Sequence, residues 1–74
     1  MKEEIKALLT EALPTVDFDS EFLFSQLDSI GVITILMILG DHYSIPLTMQ
    51  DATPKNLITL DAVVRMVESK LNKS

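Results

Sequence analysis

Cysteine is absent from the 74-residue chain, which excludes disulfide staples and thiolate metal sites. Histidine occurs once, as His42, so imidazole chemistry has a single candidate. Positive charge is scarce, with six Lys and Arg against eleven Asp and Glu, and no basic stripe forms. Nucleic acid is therefore not an expected partner. Long hydrophobic runs are also lacking: the longest, Ile30 to Leu39, is about half of the roughly 20 residues that a membrane span needs. The first stretch, Met1 to Leu13, is charged and has no continuous apolar block of the kind a signal peptide carries. These absences lead to the expectation of one small cytoplasmic domain spanning residues 1–74, without stable membrane insertion and with a modest core.

The charge that is present lies mostly at one end. Residues 1–28 hold seven acids (Glu3, Glu4, Glu11, Asp17, Asp19, Glu21 and Asp28) against Lys2 and Lys6, whereas residues 29–74 balance four acids with four cations. An acidic first half suits a basic protein partner. A solvated acidic surface that keeps a small protein dissolved is the ordinary alternative.

Hydrophobic spacing outlines the helices. Ile5, Leu8, Leu9 and Ala12 follow the i, i+3, i+4, i+7 pattern, predicting a helix from Lys2 to Leu13 that Pro14 ends. Glu3 and Glu4 fall in its first turn, where carboxylates suit the helix dipole. Pro14 to Asp28 has no sustained period and reads as a long loop anchored by Phe18, Phe22, Leu23, Phe24 and Leu27, with a short helical turn around Ser20 to Phe24. A second helix is expected from Ser29 to about His42. Val32, Ile35, Leu36, Leu39 and Tyr43 form one stripe of it, while Ile30, Ile33 and Met37 lie on another face with Thr34 and Asp41. Either a loop covers that second face or it stays exposed as a docking site. Ile45-Pro46-Leu47 is expected to be extended. A short third helix is expected within Asp51 to Leu57, capped by Asp51 or by Thr53 with Pro54 following. Thr59 caps a final helix with the stripe Leu60, Val63, Val64, Val67 and Leu71, its dipole matched by Asp61 at the start and by Lys70 and Lys73 at the end. The predicted class is all-α: a small four-helix bundle of three main helices and one short one.

Ser29 stands where the acidic loop meets the apolar helix. Unpaired backbone N–H groups and the positive end of the dipole favour negative charge at such a junction, including a phosphate. An N-cap is the commonest use of a serine there, and Asp28 is equally able to fill it. Gly31, two residues on, is unfavourable by about 1 kcal/mol relative to alanine inside a helix, and a space beside Ser29 would account for it. A serine-nucleophile elbow would need glycine at position 27, which is Leu27, and His42 lies too far along the same helix to serve as base. The run Asp17 to Asp28 resembles a calcium loop only loosely, because Phe22 replaces the required glycine. No metal site is expected.

Asp28-Ser29-Ile30 resembles the Asp-Ser-Leu hallmark of the acyl carrier protein, or phosphopantetheine-binding, family, where it opens the second helix of a four-helix bundle. The similarity continues through Ile35, Leu36, Met37 and Leu39 to Tyr43, where the family usually has phenylalanine, then through Leu47 to Thr59-Leu60 at the start of the last helix. The resemblance implies that Ser29 carries 4′-phosphopantetheine, installed from coenzyme A by a separate phosphopantetheinyl transferase whose own site holds magnesium. It further implies that the terminal thiol of that arm bears an acyl or aminoacyl group as a thioester. An acyl- or aminoacyl-adenylating ligase would load it and a downstream acyltransferase or synthase would receive it, the domain itself being a monomer and no enzyme. Three departures matter. Ser25 and Gln26 stand where the family usually has a glycine before the serine, and Thr34 and Gly40 stand at two places where fatty-acid carriers have glutamates. The sequence Leu-Asp-Ser, an apolar residue and Gly31 is closer to D-alanyl and other stand-alone aminoacyl carriers. Docking led by Ile30, Ile33 and Met37 is the corresponding expectation. An unmodified helical interaction module using the same face is the alternative.

Overall fold

Three stretches of helical periodicity become three α-helices, α1 (Lys2–Ala12), α2 (Ser29–Tyr43) and α3 (Leu60–Leu71). The computed structural model describes residues 1–72, so Lys73 lies outside the described residues. No strand occurs among them. α1 packs against both α2 and α3. Pro14 ends α1 one residue earlier than expected, holding Leu13 outside the helical region at φ −129°, ψ 69°.

The core is a single cluster. Ile5 and Leu9 of α1, Val32, Ile35, Leu36 and Leu39 of α2, and Leu60, Val63, Met66 and Val67 of α3 are buried. Phe18, Leu23, Ile45 and Leu57 enter it from the connections. Each such side chain contributes roughly 1.5–3 kcal/mol by leaving water. Of the other expected stripe members, Tyr43 and Val64 pack partly against it, Leu8 is half-buried outside it, and Ala12 and Leu71 are exposed in the last turns of their helices. Met66 and Ala62, which the expected stripe of α3 did not include, are buried.

The expected short helix within Asp51 to Leu57 does not form. A 3-10 turn occupies Met49–Asp51 instead, and a separate turn follows in which the Thr53 carbonyl accepts from both Asn56 and Leu57 N–H, each at 3.1 Å. Thr53 does cap that turn, its Oγ1 accepting from Asn56 N–H at 3.1 Å. A second start signal lies at Thr48, whose hydroxyl accepts from Gln50 N–H while Asp51 Oδ2 accepts from Thr48 N–H at 2.9 Å. Asp51 is thus the closing residue of a capping box rather than an N-cap. Asn56 then donates its side-chain amide to the Asp51 carbonyl at 2.8 Å, folding the chain back before a second turn can propagate. Three α-helices and two 3-10 turns, the other at Leu23–Gln26, describe the architecture.

Pro46 also departs from the extended expectation. Leu47 N–H donates to the Ile45 carbonyl at 3.1 Å, an i to i+2 bond whose central residue needs the φ that proline supplies. α2 ends on Ser44 in the left-handed region at φ 54°, with the N–H groups of Ser44 and Ile45 both donating to the Gly40 carbonyl.

Candidate functional site

The long loop is built to deliver residues 27–29 to one place. Phe18 and Leu23 are buried, and Phe24 and Leu27 pack partly against the core. Phe22 is 67% exposed, so it is not an anchor. The reason is local. Ser25 Oγ donates to the Phe22 carbonyl and Ser20 Oγ accepts from Phe22 N–H, a turn that directs residue 22 outward and residue 23 inward. Leu23 N–H donates to the Ile58 carbonyl at 2.9 Å, tying the loop to the segment before α3. The helical turn lies at Leu23–Gln26, later than the expected Ser20 to Phe24.

Gln26 closes the loop on itself. Its Oε1 accepts from Asp17 N–H at 2.9 Å and its Nε2 donates to the Asp17 carbonyl at 3.0 Å. Spacing did not reveal this clamp, because the two residues share no helix face. The acids of the loop serve the same closure: Asp17 Oδ1 accepts from Asp19 N–H, and Asp19 pairs with Lys6 of α1 at 2.8 Å.

At the end of this loop Asp28, not Ser29, is the N-cap of α2. Its backbone is extended (φ −97°, ψ −177°), and Oδ1 accepts from Gly31 N–H at 2.7 Å. Ser29 is the first helical residue and is exposed, and its hydroxyl has no partner among the described residues. One of the four donors at the helix end is taken, Gly31 N–H by the Asp28 side chain, while Val32 N–H makes the first intrahelical bond, to the Asp28 carbonyl. The N–H groups of Asp28, Ser29 and Ile30 remain. A carboxylate already uses the dipole, so the helix end is a weaker anion site than position alone implied.

Gly31 is not explained by open space beside Ser29. It is buried, and a Cβ there would stand 3.3 Å from Asp28 Oδ1 and 3.5 Å from Leu27 Cδ2. The glycine lets the capping carboxylate and the Leu27 side chain close over the helix start. Gly40 has a comparable cause near the other end, since a Cβ would lie 3.3 Å from the Ile45 carbonyl oxygen.

Of the two outcomes open for the second face of α2, the structure takes exposure. Ile30 is 73%, Ile33 44% and Met37 66% exposed. Ser29, Ile33 and Met37 succeed one another at i, i+4 and i+8, so the free hydroxyl heads this apolar stripe. Thr34 adds no free hydroxyl to it, because Oγ1 donates back to the Ile30 carbonyl at 2.7 Å. Asp41 is exposed near the far end.

His42 is in the last turn of α2, roughly 20 Å from Ser29 at 1.5 Å per residue. It is directed to α1 instead, with Nε2 3.2 Å from Glu4 Oε1. The same oxygen accepts from the Tyr43 hydroxyl at 2.5 Å. The Tyr43 and His42 bonds hold the Glu4 carboxyl below its usual range. Burial, then Glu4, push the Tyr43 phenol up to about 12. Among the described residues no three potential metal-ligating side chains converge, and no helix is long and apolar enough to cross a membrane.

Comparison with family models, with curated proteins and with solved structures found no match to this chain. The site stands on its own residues.

Proposed function

We propose that this chain is a carrier domain that holds an acyl or aminoacyl group as a thioester on a 4′-phosphopantetheine arm attached to Ser29. The observation that carries the reading is the division of labour at the helix start. Asp28 supplies the cap, which leaves the Ser29 hydroxyl exposed and without a protein partner. A serine that served only as a cap would have its oxygen engaged with a backbone N–H.

The residues present fit the group. Ser29 Oγ would be the atom that takes the phosphodiester, with the adenosine bisphosphate part of coenzyme A as leaving group and the hydroxyl proton taken up by the transferase. The free N–H groups of Ser29 and Ile30 would favour negative charge at that end of α2, while the Asp28 carboxylate would oppose it. The arm, when attached, supplies the thiol that this cysteine-free chain lacks. Leu27, Asp28 and Gly31 hold the attachment point rigid against the core. Ile30, Ile33 and Met37 offer partner enzymes an apolar landing beside it, with few charges. In the acyl-carrier-like bundle that the sequence resembles, the Thr53–Leu57 turn stands in for the short helix.

The apolar stripe and the Leu-Asp-Ser motif favour a dedicated stand-alone carrier, of the aminoacyl kind, loaded by an adenylating ligase. The exposure of that stripe also favours one second reading, an unmodified module that binds a partner helix. Incubation with coenzyme A and a promiscuous phosphopantetheinyl transferase separates the two. Gain of a single phosphopantetheine by intact mass supports the carrier, and an unchanged mass in a folded sample supports the module.

A further inference from the structure

The second half of the chain has balanced charge, yet its cations are not spread evenly over the surface. Lys55, Arg65 and Lys70 all line one open groove of about 430 Å³ between the turn at residues 54–58 and α3. Ile58, Ala62 and Met66 supply its apolar side, and Asn56 and Ser69 its neutral polar groups. On α3 the lining residues 62, 65, 66, 69 and 70 follow the spacing of a single helix face.

Ion pairing distinguishes two of these cations from the others. Lys2 pairs with Asp61 at 2.9 Å, Lys6 with Asp19 at 2.8 Å and Lys70 with Asp51 at 3.1 Å. Among the described residues, Lys55 and Arg65 make no ion pair, although the chain carries eleven acids. The one acid in the groove, Asp51, already has partners on both oxygens: Oδ1 is ion-paired with Lys70, and Oδ2 accepts from Thr48 N–H. It therefore does not neutralise the two remaining cations. The same residue braces the groove wall, because its carbonyl accepts from the Asn56 side chain while its carboxylate grips α3. A groove held in shape before a ligand arrives loses less entropy on binding.

We propose that this groove is a binding site for a small aliphatic carboxylate. The hydrocarbon lies along Ile58, Ala62 and Met66, and the carboxylate is held by Arg65 with Lys55 beside it. Arginine favours a carboxylate because its planar fork donates two parallel hydrogen bonds. The volume falls within the range of roughly 300–1,000 Å³ that small-molecule sites occupy. The site is separate from Ser29 and does not depend on its modification.

The test is a titration of the full chain carrying Ser29→Ala with hexanoate, followed by amide NMR shifts. Hexanoate is expected to move residues 55–58 and 62–70 together, in the millimolar range and more weakly as salt is raised. The neutral hexanol is expected to bind at least about fivefold more weakly, and the double variant Lys55→Gln/Arg65→Gln to lose about tenfold, as charge-assisted bonds are removed. Both side chains are exposed, and a spectrum unchanged elsewhere verifies the fold; Arg65→Gln alone provides a second, milder variant. Hexanol binding as tightly as hexanoate, shifts centred on core residues such as Leu39 and Val63, retention of affinity in both variants, or no shifts at all would each overturn the proposal.

Discussion

Asp28 Oδ1 lies 2.7 Å from Gly31 N, and that single bond frees Ser29 from the capping role. It assigns stability and function to adjacent residues. Asp28→Ala is expected to lower unfolding stability by about 1 kcal/mol through loss of the cap. Ser29→Ala, at an exposed position without a side-chain partner, is expected to change it by less than about 0.5 kcal/mol. Urea unfolding of the two variants side by side checks the contrast, and equal losses would return Ser29 to a structural role.

The apolar stripe of α2 separates folding from recognition in the same way. Met37→Ala is expected to leave unfolding stability within about 0.5 kcal/mol of the parent, because the side chain is exposed. Ile35→Ala, which empties a fully buried position two residues away on the inner side of the helix, is expected to cost about 2–5 kcal/mol. For binding to a cognate adenylating ligase the order reverses, with Met37→Ala weakening affinity by about tenfold. Apolar contacts are not screened, so that affinity is expected to change little between low and moderate salt. A steep fall with salt would show that charge, not Ile30, Ile33 and Met37, leads docking.

Tyr43 reports the clasp between α1 and α2. It is the only tyrosine and the chain has no tryptophan, so tyrosinate absorbance follows one group. The midpoint is expected near 12 rather than 10. Because the phenol is raised in the fold, its contribution to stability is complete below its ordinary value and is lost as pH rises through about 12. Glu4→Gln is expected to lower the midpoint only in part, since burial is the larger cause. A parent midpoint at the ordinary tyrosine value would mean that neither the burial of the phenol nor its Glu4 bond holds in solution.

Asp51 is expected to tie acid sensitivity to the 48–58 segment. Its carboxyl is held below the ordinary value first by Thr48 N–H and then by Lys70. The ionised form therefore favours the folded state: the contribution is complete above the ordinary carboxylate value and is lost as pH falls through the depressed one. Asp51→Ala is expected to be destabilising by about 1–2 kcal/mol near neutral pH. The gap between parent and variant in urea midpoint should narrow as the solution is made acidic. A gap independent of pH would remove the ion pair and the capping box from the account.

Much of this molecule was legible from spacing alone. The starts of α1, α2 and α3, the cap at Thr59 and the inward stripe Val32, Ile35, Leu36 and Leu39 follow from periodicity and capping chemistry. The features that spacing did not show depend on side chains meeting across the chain. Gln26 and Asp17 close the loop from nine residues apart, and Glu4 meets Tyr43 from thirty-nine apart. Asn56 turns back to Asp51 and stops a helix that local propensity allowed. Gly31 was visible as an anomaly, but its cause, the approach of Leu27 and Asp28, exists only once the loop is folded. The cations of the groove are likewise separated in sequence, as Lys55, Arg65 and Lys70, and only the fold gathers them.

The central claim is that Ser29 is an attachment point for a phosphopantetheine arm. The most direct measurement is intact mass after reaction with coenzyme A and a promiscuous phosphopantetheinyl transferase, with the parent and Ser29→Ala run in parallel. The parent is expected to gain one phosphopantetheine, with fragmentation placing it on Ser29, and the variant to gain none. A folded parent that gains nothing, or a Ser29→Ala variant that gains as much as the parent, would contradict it.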